Sequence, residues 1–198
     1  MGKVAEKKED DVVDGKLRNM TAIYLRCMDG MILLYRMGSR VVGNSYTGAA
    51  GGHFEQDELN DSKACVLREL QEETGLTEED IENLAMRYVT LRLKNGEIRQ
   101  NYYFFGDLKA HVLAQWGLSA DGLHGQEILQ RHRIVLDGVS SSEGQLEWVP
   151  NEKVLELEMP ASAKFMMEHY LTVGKDTDVV YGGVTTENGG EFVEFREF

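Results

Sequence analysis

The sequence predicts an α+β fold, a mixed β-sheet sandwiched between helices, and three observations carry that expectation. Two β-rich runs, 21–27 (TAIYLRC) and 31–37 (MILLYRM), flank a tight Met28-Asp29-Gly30 turn, the pattern of a hairpin. A second hairpin is read from 85–93 and 98–108 around Asn95-Gly96, a dipeptide suited to two successive positive φ angles. Between the hairpins runs one uninterrupted helix-forming segment, 62–74, with Asp61 in N-cap position and Gly75 as its stop. Two hairpins split by a helix do not make the alternating βαβ units of a doubly wound sheet.

The remaining elements follow in order. Residues 1–18 mix charges without a period and read as an N-terminal tail or a first strand, leaving 19–198 as a single domain. Residues 38–47 read as loop and lead into Gly48-Ala49-Ala50-Gly51-Gly52. Residues 109–141 read as an insertion on the scaffold, in which the stretch 125–136 fits helix or strand alike. Residues 144–150 read as a strand, 151–157 and 161–171 as helices, the latter with Pro160 near its first turn. Residues 177–184 and 191–198 read as a terminal hairpin around Glu187-Asn188-Gly189-Gly190.

Composition narrows the function classes. A hydrophobic share of 42% and a charged share of 28% are those of a globular chain with a core. No apolar run approaches the roughly 20 residues that span a bilayer, and the charged start lacks the apolar core of an export signal, so the cytoplasm is the expected compartment. Cys27 and Cys65 form neither a disulfide framework nor a zinc spacing. The net charge of −13, from 34 acidic and 21 basic residues, disfavours nucleic acid polymers and anionic membranes as partners. It leaves a small phosphorylated molecule open, because divalent cations bridge carboxylates to phosphate oxygens.

The chemistry concentrates in 51–76, GGHFEQDELNDSKACVLRELQEETGL. At about 100° per residue, Glu69, Glu72 and Glu73 span about 100° of one helix face, while Leu67, Leu70 and Thr74 fall on the other. Like charges so spaced cost a few tenths of a kcal/mol per pair, roughly, which a hard divalent cation with oxygen ligands would offset. A solvated acidic face is the alternative, and on the carboxylates alone the better one. Arg68, four residues before Glu72, and the glycine loop, which lets backbone approach a ligand, tilt the balance toward a site.

This run resembles the signature of the Nudix hydrolase family: Gly, five residues, Glu, seven residues, then Arg-Glu-aliphatic-x-Glu-Glu-x-Gly-aliphatic. Gly52 and Glu58 keep the first spacing, and residues 68–76 match every fixed position of the second half. Nine residues rather than seven separate Glu58 from Arg68, with the two extra ones placed around 59–61. That departure leaves open the role of Glu58, which in the family is mainly structural. The run 38–70 also resembles bacterial proteins of the 8-oxo-dGTP pyrophosphatase-like subgroup. Outside the signature the likeness extends more loosely over 19–110 and 141–173.

The resemblance implies a Nudix-type α/β/α sandwich with a mixed β-sheet, and hydrolysis of a diphosphate linkage in a nucleoside diphosphate-X compound by a metal-activated water. It implies Mg²⁺, or Mn²⁺ in its place, held by Glu69, Glu72, Glu73 and the carbonyl of Gly51, with Arg68 orienting Glu72. In the pyrophosphatase branch a further glutamate precedes a Trp-containing strand; Glu143 in SSEGQLEWV is similarly placed, as metal ligand, general base or ordinary loop residue. Arg36 and Arg40 either grip phosphate or lie as surface charge. Phe54, Tyr46, Tyr102, Tyr103 and Trp148 either stack on a base or pack in the core. The substrate class is a nucleoside triphosphate, oxidised or not, or an ADP-sugar, and homodimerisation is compatible with the family. The alternative function is a non-catalytic nucleotide-binding Nudix regulatory domain, although all three box glutamates remain. An isomerase on the same fold would need a catalytic cysteine motif that neither Cys27 nor Cys65 supplies.

Overall fold

The computed structural model describes residues 16–36, 44–116, 118, 134–141 and 143–195. Strands β1 (Lys16–Cys27) and β2 (Gly30–Arg36) form the first hairpin, and β3 (Ser45–Gly48) pairs with β2. Helix α1 (Ser62–Thr74) precedes the second hairpin, β4 (Ile81–Lys94) and β5 (Glu97–Leu108). A short helix α2 (Ala110–Gln115), strands β6 (Ile134–Ser141) and β7 (Gly144–Pro150), and helices α3 (Asn151–Val154) and α4 (Ala161–Thr172) follow. Strands β8 (Tyr181–Thr185) and β9 (Gly190–Glu194) end the described chain. The strands form one mixed sheet, β6-β7-β2-β1-β5-β4-β8-β9, with β3 beside β2 off that path. β1–β5 and β4–β8 are parallel, and the other strand pairs antiparallel.

Local chemistry explains the boundaries. The Asp61 carboxylate accepts from the Ala64 N–H at 2.9 Å, and Gly75 closes α1 in the left-handed region at φ 75°. Such caps satisfy helix-end groups that water would otherwise have to serve. The β4–β5 turn places Asn95 and Gly96 at φ 54° and 73°, as its sequence demands. The first hairpin differs from expectation. Its positive φ falls on Met28, at 52°, and Gly30 is already the first residue of β2. A Cβ there would lie 2.5 Å from the Val149 carbonyl oxygen and 2.6 Å from the Trp148 ring, so it is strand packing that demands glycine.

Both faces of the sheet are covered at its centre. Ile23, Leu25, Ile32, Leu34, Phe104 and Trp148 pack with Val66 and Leu70 of α1, Val112 of α2, and Leu118. The alternate side chains Tyr24, Met31, Leu33, Tyr103 and Phe105 pack with Met166, Met167 and Tyr170 of α4. Burial on both faces is why β2 reads as a continuous apolar run rather than an alternating one. β1 starts at Lys16, five residues before the first β-rich run, because β5 pairs with it residue by residue from Glu97 to Asp107. Of the segment 109–141, α2 and Leu118 join the α1-side core and β6 pairs with β7; residues 117 and 119–133 lie outside the described residues.

Leu70 is fully buried beneath α1, whereas Leu67 is half-buried. Leu70→Ala is expected to reduce unfolding free energy by about 2–5 kcal/mol, and Leu67→Ala by clearly less, in denaturant titrations.

Candidate active site

The site grows from the contact between α1 and the loop that follows β3. That loop runs antiparallel to β1: the Ile23 and Thr21 N–H groups donate to the Ala50 and Gly52 carbonyls, both at 2.9 Å. By strand alternation the peptide groups of Gly51 turn away from β1, and its N–H donates to Glu73 Oε2 at 3.0 Å. Gly51 has φ 154°, and a Cβ would stand 2.3 Å from the Thr21 carbonyl oxygen. At Gly52 a Cβ would stand 2.2 Å from Glu69 Oε1. The two glycines thus let the acidic turn of α1 settle on the loop.

Arg68 is the hub of that turn. Its Nε donates to Glu58 Oε1 at 2.7 Å and its Nη2 to Glu58 Oε2 at 3.1 Å, a two-pronged, charge-assisted contact. Nη2 also donates to the His53 carbonyl at 3.1 Å, while Nη1 reaches Glu69 at 2.9 Å and Glu72 at 3.1 Å. Glu58 in addition accepts from the Glu55 N–H at 2.9 Å, closing the 3-10 turn Gln56–Glu58. The lengthened spacing is taken up by the solvent-facing residues after that turn, and Glu58 still meets Arg68. Its role is to anchor the arginine, and the Arg68 guanidinium holds its carboxyl down at about 2.

A second arginine serves the other side. Arg36, at the end of β2, lies 3.5 Å from Glu73 Oε1 and forms an ion pair with Glu143, in the turn before β7. Gly144 permits this, since a Cβ there would be 2.2 Å from the Tyr35 carbonyl oxygen. Glu73 is buried, unlike a carboxylate on a solvated face, and burial raises its pKa to about 7, with Glu143 and Glu69 adding to the rise. Burial raises the Glu69 carboxyl as well, against the opposing pull of Arg68. Glu72 is exposed.

These donors fit a hard divalent ion in kind. They are carboxylate and carbonyl oxygens on one helical turn and the loop beneath it, and a cation beside Glu69 and Glu73 would favour the ionised forms that burial disfavours. Among the described residues no three His, Cys, Asp or Glu side chains converge on one point, because Glu69 and Glu72 are drawn to Arg68 and Glu73 to Arg36.

The other sequence candidates divide. Phe54 is half-buried at the loop edge, 5.3 Å from the Tyr102 ring centroid. Tyr46, Tyr103 and Trp148 are core residues, with Trp148 Nε1 bonded to the Cys27 carbonyl and the Tyr46 hydroxyl to Glu147, so none offers a face to a base. Arg40 lies outside the described residues. Sequence reasoning did not single out Glu147, a buried carboxylate on β7; a charged residue between apolar neighbours was the one local signal there.

The NUDIX domain model matches residues 16–170, the whole run from β1 through most of α4. The chain belongs to the NUDIX family. It is a Nudix pyrophosphohydrolase, an enzyme of diphosphate hydrolysis. No curated protein matches it in sequence. Among solved structures, the fold is similar to the mutator MutT protein from Bacillus halodurans, at 20% identity and TM-score 0.55, covering 88% of this chain and 97% of that one. It is also similar to the MutT protein from Methanosarcina mazei Go1, at 19% identity and TM-score 0.56, covering 83% and 99%. The E. coli ORF135 protein is similar at 16% identity and TM-score 0.55, covering 83% and 96%. At these identities the likeness speaks for the Nudix fold, and no described helix is long and apolar enough to cross a membrane.

The Glu58–Arg68 pair makes a pH-dependent contribution to the stability of the Nudix domain. The folded carboxyl titrates at about 2, below the ordinary glutamate value, so the stabilisation is present above about pH 4.5 and lost as pH falls toward 2. Glu58→Gln should lower stability at pH 7 by about 1–3 kcal/mol, and denaturation curves of wild type and variant should converge as pH falls from 4.5 to about 2.

Proposed function

We propose that this Nudix enzyme hydrolyses the diphosphate linkage of a nucleoside diphosphate-X compound, a nucleoside triphosphate or an ADP-sugar, with Mg²⁺ or Mn²⁺ as cofactor. The observation that carries the reading is the meeting of buried Glu73 with the Gly51 N–H, beside Glu69 on Gly52 and within reach of Arg36. Glu69, Glu72, Glu73 and the Gly51 carbonyl would hold the ion. When bound, it supplies Lewis acidity and neutralises charge gathering on the phosphoryl oxygens.

The chain's own groups do the rest. Without side chains at Gly51 and Gly52, a diphosphate can lie against the backbone. Arg36 keeps a buried Nε with no hydrogen-bond partner, a donor suited to a phosphate oxygen. Glu143, partly exposed at the mouth, takes the proton of the attacking water as the new P–O bond forms and the bridging P–O bond breaks. Arg68 positions Glu69 and Glu72 and does not touch substrate. Phe54 and Tyr102 offer an aromatic edge to the group beyond the phosphates.

A screen with Mg²⁺ across nucleoside triphosphates, 8-oxo-dGTP, ADP-ribose, nucleotide sugars and dinucleoside polyphosphates should yield turnover. Glu72→Gln and Glu73→Gln should each lower kcat by about a hundredfold or more at unchanged secondary structure. Glu143→Gln should lower it about 10²- to 10⁴-fold. Full activity in Glu73→Gln, or silence of the wild type across the panel, would overturn the reading. Gly52→Ala should fold, since the obstructing atom is the movable end of Glu69, yet lose at least about tenfold in kcat through displacement of that carboxylate.

A further inference from the structure

We infer that the outer half of the sheet face that carries α1 is the surface through which two copies of this chain pair, sheet against sheet. The inference does not depend on the hydrolase reading.

The face is built by strand register. Leu17 of β1, Ile98 of β5 and Leu93 of β4 are partners in one row. In the next row Leu91 of β4 is the partner of Val184 of β8. A third row runs from Thr21 through Tyr102, Val89 and Gly182 to Val193 of β9. Partners on neighbouring strands, and residues two apart on one strand, project from the same side of a sheet. That side is the one α1 occupies, because Thr21 Oγ1 lies 3.4 Å from Cys65 Sγ and Tyr102 packs against the α1-side core. Phe195 joins the face by laying its ring over Gly182, where a Cβ would stand 2.4 Å from Phe195 Cζ.

Helices α1 and α2 pack on the centre of this face, and beyond them apolar side chains stand in water. Leu93 is 75% exposed, Val193 66% and Val184 58%, with Leu17, Phe195, Leu91 and Ile98 exposed as well. Of the ten large hydrophobic residues exposed among the described residues, seven therefore share one surface. Such residues scattered singly are normal, whereas a contiguous set marks an interaction surface. Charge avoids it. Within the three rows Glu191, the partner of Val184, is the only charged residue. The arginines of the same strands, Arg18, Arg99 and Arg92, form a register row on the opposite face.

Size and charge identify the occupant. The seven residues expose on the order of 600 Å², the upper end of what a monomer leaves to water and near the roughly 800 Å² that each partner of a standard interface buries. Residues 1–15 lead into β1 beside Leu17, but eight of them are charged, a composition unsuited to covering an aliphatic face. A second copy fits. About a twofold axis the same rows meet themselves, apolar against apolar, as two sheets stack face to face at about 10 Å with interdigitated side chains. Two chains of net charge −13 repel one another, and a nearly uncharged face is where they approach at least electrostatic cost.

Sedimentation velocity on the full chain, over about 1–100 µM at about 0.15 M salt, should show a monomer–dimer equilibrium with Kd of about 10 µM or below. Leu93→Glu and Val193→Glu alter positions that already face water in the single chain, so both should keep the wild-type far-UV circular dichroism. Each should raise Kd at least about a hundredfold, because it sets an unpaired charge in an apolar contact. Val173→Glu, at an exposed apolar position ending α4, should leave Kd within about twofold. A wild type that stays monomeric at the highest concentration overturns the proposal and leaves the face to a partner of another sequence. A dimer that survives both glutamate variants on the face, or one that Val173→Glu disrupts as strongly, also overturns it. Open-ended assembly in place of a closed dimer would sink the twofold arrangement.

Discussion

The close approach of the Gly51–Gly52 backbone to β1 on one side and to the carboxylates of α1 on the other is the constraint on which the rest of the site depends. β1 lies on one side of the loop and α1 on the other, and neither leaves room for a Cβ. Alanines at 49 and 50, both buried, continue the narrow contact. A side chain at Gly51 would push the loop off the β1 backbone, and one at Gly52 would displace the Glu69 carboxylate. Either shift disturbs the loop on which Glu73 meets the Gly51 N–H. Placement of the carboxylates thus depends on the two glycines.

Crowding of acids around α1 is relieved by division of labour between two arginines. Arg68 serves Glu58, Glu69 and Glu72, and Arg36 serves Glu73 and Glu143. Burial still raises Glu69 and Glu73, so the turn keeps a standing demand for positive charge that two guanidinium groups do not fully meet. Polar groups left incomplete in this way are characteristic of sites built for a ligand rather than for stability alone.

β1 carries the glycine loop along its edge near residues 20–23 and pairs with β5 along nearly its whole length, so backbone hydrogen bonds fix the position of the loop against the centre of the sheet. Helix α1 packs on the same strand through Val66 and Leu70 against Ile23 and Leu25, which sets its acidic turn beside that loop.

Much of this was written locally in the sequence. The α1 caps at Asp61 and Gly75, the Asn95-Gly96 turn, the two early hairpins and the trio Glu69, Glu72 and Glu73 are short-range patterns, and each is legible because its physical cause lies within a few residues. What tertiary structure alone decided are relations between distant segments. That Glu58 meets Arg68 across a lengthened loop, that Arg36 bridges Glu73 and Glu143, and that Gly30 is a packing glycine depend on how elements dock. The pairing of Arg18 with Glu97, 79 residues apart, follows from the parallel register of β1 and β5. The sequence determined which elements form and which carries the acids. Register and the faces on which side chains emerge came only with the assembled sheet, because a one-residue slip would send every one of those side chains to the other side.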